Sequence, residues 1–202
     1  MGTIYMKRAV ITGPTGSIGI ALINELEANG IEVVAVVRPG SKRADRIKES
    51  SIVNCVKCEL SNLHKLPELI PDGADVFYHF GWDGTFGDSR NNMKGQNLNV
   101  KYALDAVEAA SKLGCKTFVG AGSQAEYGRF EGKLNGSTPT FPENGYGIAK
   151  LCAGQMTRIM CQQKGIKHIW TRILSIFGPY DGEITMVMST IDRLLKGEVP
   201  SC

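Results

Sequence analysis

The chain has 202 residues and a mass of 21.9 kDa, the size of one large α/β domain or of a domain with the start of a second. Hydrophobic residues make up 43% and charged residues 21%, which excludes disordered, collagenous and coiled-coil chains. The 23 basic and 20 acidic residues leave a net charge of +3, short of the clustered basic footprint of a nucleic-acid binder.

The opening MGTIYMKRAVITG has no basic segment leading into an apolar stretch, so no secretory leader is read there. Met6 also stands where a myristoylation signal needs Ser or Thr. No apolar run approaches the ~18 residues of a membrane span. Six cysteines, Cys55, Cys58, Cys115, Cys152, Cys161 and Cys202, are scattered through a chain too long and apolar to need stapling. A reducing, cytoplasmic compartment is expected. Cys55-x-x-Cys58 has no second pair and no neighbouring His, so no metal site is expected from it.

Short apolar runs alternate with longer amphipathic stretches along the chain: Ala9-Val10-Ile11, then Ile18 to Ala28, Val33 to Val37, Ile52 to Val56, and Val76 to Phe80. That order predicts parallel βαβ units. The unbroken run Val33 to Val37 suits a strand covered on both faces of a doubly wound sheet. A helix is predicted from Asn97 to Leu113, where Ala103, Ala106, Val107 and Ala110 form one stripe, with Gly114 ending it. Thr117 to Gly120 is the next strand. Gly145 to Cys161 is a second helix with Asn144 as its N-cap, and His168 to Ile173 a further strand. Between strand and helix lies Gly128 to Asn144, polar, Gly- and Pro-bearing, and of the length that covers active sites. Its Asn135-Gly136-Ser137 sequon is read as a turn.

Directly after the first strand stands Thr12-Gly13-Pro14-Thr15-Gly16-Ser17-Ile18-Gly19. Gly13 allows a tight turn, Gly16 lets backbone N–H groups near a pyrophosphate, and Gly19 permits close packing of helix on strand. The cofactor-binding residues expected here are Gly13, Thr15, Gly16, Ser17, Ile18 and Gly19. At the end of the second strand, where an acid would hold a ribose 2′-hydroxyl, the chain has Arg38, followed by Ser41, Lys42 and Arg43. Cations and a hydroxyl favour a 2′-phosphate, hence NADP, with NAD the alternative. Tyr146 and Lys150 lie four residues apart on one helix face. A lysine charge beside a phenol lowers its pKa from about 10 toward a value useful for acid–base work.

Together these motifs resemble the extended short-chain dehydrogenase/reductase superfamily, in its NAD-dependent epimerase/dehydratase family of nucleotide-sugar enzymes, across essentially the whole chain. The resemblance implies a Rossmann-like doubly wound parallel sheet with helices on both faces. Residues 1–178 would form the NAD(P)-binding domain, and residues 179–202 only the beginning of a substrate-binding region. It implies that Glu59 and Leu60 meet adenine, one carbon longer than the family's Asp-Leu. Tyr78-His79-Phe80-Gly81 stands for the family's His-Leu-Ala-type strand end, giving Phe80 and Gly81 a cofactor role, and Asn99-Val100 for its Asn-Val. Gly122-Ser123-Gln124-Ala125-Glu126-Tyr127-Gly128 stands for Ser-Ser-x-x-x-Tyr-Gly. The implied catalytic set is Ser123, Tyr146 and Lys150, with Asn99. Tyr146 would exchange a proton with a sugar hydroxyl or ketone, Ser123 would orient that oxygen, and Lys150 would hold the nicotinamide ribose and depress the tyrosine pKa. Trp82, Ser123, Gln124 and Ser175 are the expected substrate contacts, and a nucleotide sugar the expected partner. A homodimer through the two long helices is implied as well.

Three departures bear on the chemistry. Gln124 and Ala125 stand where 4,6-dehydratases carry an Asp-Glu pair, and neither transfers a proton, which argues against that reaction. Ser175 replaces an Asn that contacts nucleotide-sugar phosphates, keeping one hydrogen-bond donor. The chain also stops where the family's substrate domain gathers. Two readings therefore stand: an NADP-preferring epimerase or ketoreductase, and a non-catalytic NADP(H)-binding module.

Overall fold

Six strands, all parallel, form one sheet in the order β3-β2-β1-β4-β5-β6 in the computed structural model. The structure describes residues 6–182 and 185–199. The strands are β1 (Arg8–Thr12), β2 (Glu32–Val37), β3 (Val53–Lys57), β4 (Val76–His79), β5 (Thr117–Ser123) and β6 (Lys167–Ile173). The helices are α1 (Ser17–Ala28), a single turn α2 (Leu66–Leu69), α3 (Met93–Lys112), α4 (Gly145–Gln163) and α5 (Met186–Leu195).

Strand alternation divides the core into two layers. Ile11, Val33, Ala35 and Val37 face Ile20, Ile23 and Leu26 of α1. Val10, Val34, Val36, Phe77 and Phe118 face Ala106, Val107 and Ala110 of α3. The unbroken apolar run of β2 is thus buried from both sides, as the sequence predicts. Strand order reverses between β1 and β4, and the carboxyl ends of these strands open a crevice there.

Asn144 caps α4 as predicted, its Oδ1 accepting from the Gly147 N–H at 2.8 Å. α3 begins a turn earlier than the predicted Asn97. Asn92 caps it, accepting from Gly95 N–H at 3.2 Å. Its first turn carries exposed Met93 and no apolar stripe, so periodicity cannot see it. α5 lies in the segment read only as a partial substrate region, and none of its residues is buried. The expectations that fall on residues 1–5, 183–184 and 200–202, Cys202 included, lie outside the described residues. No helix among the described residues is long and apolar enough to cross a membrane.

Near the site, a slot of glycines receives Trp170 of β6. A Cβ on Gly154 of α4 would lie 2.7 Å from the indole, and one on Gly120 or Gly122 of β5 nearer still. Both the Trp170 and Trp82 rings pack on Val100, Ala103, Ala149 and Ala153, where α3 meets α4. Small residues between these helices therefore draw β5, β6 and the β4–α3 connection to one place.

Candidate active site

The β1–α1 turn is pressed against the end of β4. Gly13 has φ +68°, and a Cβ there would lie 2.7 Å from the Gly81 nitrogen and the Phe80 carbonyl carbon, so only glycine suits the position. A Cβ on Gly19 would meet the Pro14 carbonyl oxygen at 2.6 Å, so the close packing predicted for Gly19 is against its own turn. Gly16 meets nothing nearer than 3.8 Å. It is the N-cap of α1, with no side-chain cap and no acid in the first turn, and Ser17 and Ile18 open the helix behind it. The first N–H groups of a helix have no partner within it and suit an anion, although of this turn only Gly13, Pro14 and Thr15 line the adjoining cavity. Thr12 ties the two strands: Gly81 N–H donates to its Oγ1 at 3.2 Å, and the hydroxyl pairs with His79 Nδ1 at 2.9 Å. Burial holds the His79 imidazole far below its ordinary pKa, at about 3. It is therefore a neutral structural link.

A cavity of about 750 Å³ runs from this turn across the ends of β2, β3 and β4. It gathers Gly13, Thr15, Arg38, Ser41, Glu59, Leu60, Gly81 and Trp82 of the predicted set, together with Lys42 and Arg43. Phe80 is not among the lining residues: its backbone lies against Gly13, while its ring packs edge-on to Tyr78 beside the core. Cys58, Ser61, Asp83 and Tyr102 also line the cavity. Cys58 is the second residue of the Cys55-x-x-Cys58 pair, from which no metal site is expected. Its thiol instead donates to the Glu59 and Asn62 carbonyls at 3.4 and 3.3 Å. The donor set fits a dinucleotide: an open helix N-terminus beside small residues for a pyrophosphate, flanked by a basic loop and by Glu59-Leu60. Arg46, unforeseen from sequence, donates from Nη1 to the Thr15 carbonyl at 3.2 Å and braces that turn.

β5 delivers Ser123 to the crevice, and a capping box fixes it. Ala125 N–H donates to Ser123 Oγ at 3.2 Å, and Ser123 N–H donates to Glu126 Oε1 at 2.8 Å. Glu126 is fully buried. Its Oε1 also accepts from Trp170 Nε1 at 3.0 Å, and its Oε2 pairs with Arg172 Nε at 2.9 Å. The signal for it was the S-x-x-E spacing of residues 123–126.

Tyr146 stands in the first turn of α4 beside Ser123. Burial pushes its phenol above the ordinary value, the neighbouring Ser123 hydroxyl and the Arg90 charge act to lower it, and Glu126 adds to the rise. Lys150 is buried one turn on. Its Nζ donates to the Ala121 carbonyl at 2.6 Å and lies 3.8 Å from the centre of the Trp82 ring, against 5.7 Å for Tyr146. Desolvation lowers its pKa to about 7, against a raising effect of Glu126. The Tyr146 phenol thus stands above its ordinary value, and of the two cations over its ring Arg90, at 4.7 Å from the centre, is nearer than Lys150, which is turned toward Ala121 and Trp82.

Asn99 spends its amide on the β4–α3 loop, accepting from Asp83 N–H at 3.0 Å and donating to the Asp83 carbonyl at 2.8 Å. It positions that loop and does not touch the Ser123–Tyr146 pair in this structure. Gln96, unforeseen, does the same for the next residues, accepting from Trp82 Nε1 at 2.9 Å and donating to the Gly84 carbonyl at 2.8 Å. Trp82, expected on the substrate side, lines the large cavity and sets its ring at 87° to Tyr146, 6.2 Å away. Gln124 and Ser175 are brought together, Gln124 Nε2 donating to Ser175 Oγ at 3.1 Å. A smaller cavity of about 310 Å³, lined by Arg90, Ser123, Gln124 and Arg129, opens beside Ser123. The polar segment 128–144 forms its outer wall through Gly128, Phe130 and Leu134, and Asn135-Gly136-Ser137 is a turn, with Thr138 N–H donating to the Asn135 carbonyl at 3.2 Å.

Comparison with known proteins matches residues 9–202 to the NAD dependent epimerase/dehydratase family. A dTDP-6-deoxy-L-talose 4-dehydrogenase (NAD(+)) of Aggregatibacter actinomycetemcomitans is 30% identical over 142 residues, which is 70% of this chain and 50% of the relative. Among solved structures, a UDP-glucuronic acid 4-epimerase of Bacillus cereus in complex with NAD superposes with a TM-score of 0.79 at 19% identity, over 95% of this chain and 63% of the other. The dTDP-glucose 4,6-dehydratase DesIV of Streptomyces venezuelae, with NAD bound, gives 0.81 at 20% identity, over 94% and 62%. The chain spans under two thirds of the length of each.

Proposed function

The chain belongs to the NAD-dependent epimerase/dehydratase family, and from that premise we propose that it is an NADP(H)-preferring oxidoreductase or epimerase acting at a hydroxyl or ketone carbon of a nucleotide sugar. The observation that supports the reading is Ser123 lining the smaller cavity with Tyr146 beside it, and Lys150 lying over Trp82, which lines the dinucleotide-sized one. When bound, the nicotinamide nucleotide supplies the hydride acceptor or donor. The Gly13–Gly19 turn would hold its pyrophosphate, Glu59 and Leu60 its adenine, and Arg38, Ser41 and Arg43 a 2′-phosphate. The Tyr146 hydroxyl then takes or returns the proton of the sugar oxygen, and Ser123 hydrogen-bonds that oxygen on the side of the smaller cavity. Lys150, with one donor on Ala121, keeps others for the ribose hydroxyls. Gln124 and Ser175 would meet the sugar beyond Ser123.

A 4,6-dehydratase reaction is disfavoured. Gln124 and Ala125 have no proton to transfer, and the next carboxylate, Glu126, is fully buried with both oxygens committed. The test is parallel titration of the purified chain with NADPH and NADH by nicotinamide fluorescence, followed by turnover with sugar nucleotides. NADPH is expected to bind about tenfold or more tightly, the scale of one or two charge-assisted hydrogen bonds, with Arg38→Ala abolishing the difference. Preference for NADH would remove the NADP assignment, and turnover retained by Tyr146→Phe would remove the acid–base assignment. NADPH binding with no turnover of any sugar nucleotide would favour a cofactor-binding module instead.

A further inference from the structure

Between β4 and α3 the chain makes a 3₁₀ turn, Gly87–Asn91, that is fastened to both long helices. Gln96 Nε2 of α3 donates to the Ser89 carbonyl at 3.0 Å, and Asn91 Oδ1 accepts from Gly145 N–H, at the start of α4, at 2.9 Å. The turn therefore presents Arg90 at a fixed place, with its guanidinium carbon 4.7 Å from the centre of the Tyr146 ring. Arg90 is half-buried, and among the described residues no carboxylate pairs with it.

The other groups facing Tyr146 are all otherwise engaged. Lys150, from the same helix, donates to Ala121 and lies over Trp82. Glu126, from the turn after β5, is held by Ser123, Trp170 and Arg172. Trp82 offers a ring edge and no charge. We propose that Arg90 is a positioning residue of the reaction, the permanent positive charge that holds Tyr146 toward its phenolate form, while Lys150 serves the ribose side. This rests on the reading of Tyr146 as the acid–base group. A guanidinium suits the task because it stays protonated at any working pH, whereas the buried Lys150 ammonium titrates near pH 7. Cationic support that comes and goes with pH would weaken acid–base work in the neutral range.

The experiment is a tyrosinate absorbance titration of the cofactor-free chain, with the Tyr146→Phe protein subtracted to isolate one phenol, in wild type, Arg90→Gln, Arg90→Lys and Lys150→Met. Loss of the guanidinium is expected to raise the Tyr146 midpoint by about one to two pH units, the effect of one opposite charge within ~4–6 Å. Arg90→Lys should restore most of the shift, and Lys150→Met should move the midpoint less than Arg90→Gln does. The pH dependence of turnover should move in the same direction in Arg90→Gln. An unmoved Tyr146 midpoint in Arg90→Gln overturns the proposal. So does a change confined to KM, which would make Arg90 a contact for a substrate anion. Failure of the acid–base reading shows separately, as turnover surviving Tyr146→Phe, while the absorbance difference still decides what Arg90 does to the phenol.

Discussion

Removing the Glu126 carboxylate tests whether the site is held from behind by β6. Glu126→Ala strands three donors, the Ser123 N–H, the Trp170 Nε1–H and the Arg172 guanidinium. Breaking a fully buried pair costs ~3–5 kcal/mol. The Arg172 side chain keeps 19% exposure, so water recovers part of that and the lower end, ~3 kcal/mol, is the expectation. For a chain of this size that is a fall of ~6–12 °C in the unfolding midpoint. Urea unfolding followed by tryptophan fluorescence suits the measurement, since the two tryptophans both pack at the α3–α4 junction. A double-mutant cycle isolates the ion pair. Arg172→Met alone leaves Glu126 with two donors, and the pair Glu126→Gln/Arg172→Met should be less destabilised than the sum of its parts by ~1–2 kcal/mol. A cost under ~1 kcal/mol for Glu126→Ala, or additivity within ~0.3 kcal/mol in the cycle, would refute the assignment of Glu126 as the strut behind Ser123.

Two further outcomes are expected. Gly13→Ala forces a side chain into φ +68° and onto the backbone of Phe80 and Gly81, so it should cost ~2–3 kcal/mol in the cofactor-free protein. Gly16→Ala has free space and should leave that stability within ~0.5 kcal/mol while weakening NADPH binding; equal stability losses in thermal melts would contradict the cradle. Lys150 has its pKa depressed from 10.5 to about 7 by burial, so the unfolded chain binds the extra proton and stability rises with pH through that window, by up to ~1.4 kcal/mol per unit. Half-buried Cys55 and buried Cys58, Cys115 and Cys161 have raised pKa values and oppose the trend at higher pH, so the comparison belongs between pH 7 and 8.5. Lys150→Met should flatten the slope there in denaturant titrations, and an unchanged slope would mean the ammonium is solvated.

What could be read from the sequence is what neighbours along the chain decide. The β2 run, the Asn144 cap and the glycine turn depend on spacings of a few residues, and each stands where those spacings put it. The Tyr146–Lys150 spacing placed both on one helix face, but the direction of the ammonium depends on the Ala121 carbonyl and the Trp82 ring, 29 and 68 residues away along the chain. Asn99 was legible through its Asn-Val resemblance, and its partners, both on Asp83, lie on a loop whose path periodicity does not describe.

Glu126 shows the same division within one residue. Its capping box with Ser123 is a local signature, S-x-x-E, and was available to a reader of the sequence. Its pairing with Trp170 and Arg172 is not, because it requires β6 to lie beside β5, and that in turn requires Gly120, Gly122 and Gly154 to clear a slot for the indole. Read alone, Gly122-Ser123 looks like a catalytic hydroxyl after a flexible residue. Beside β6, the glycine is there for Trp170, the carboxylate for Arg172, and Ser123 is held still by both. The rigidity that the proposed proton transfer would require of Ser123 thus originates in long-range packing that the motif itself does not encode.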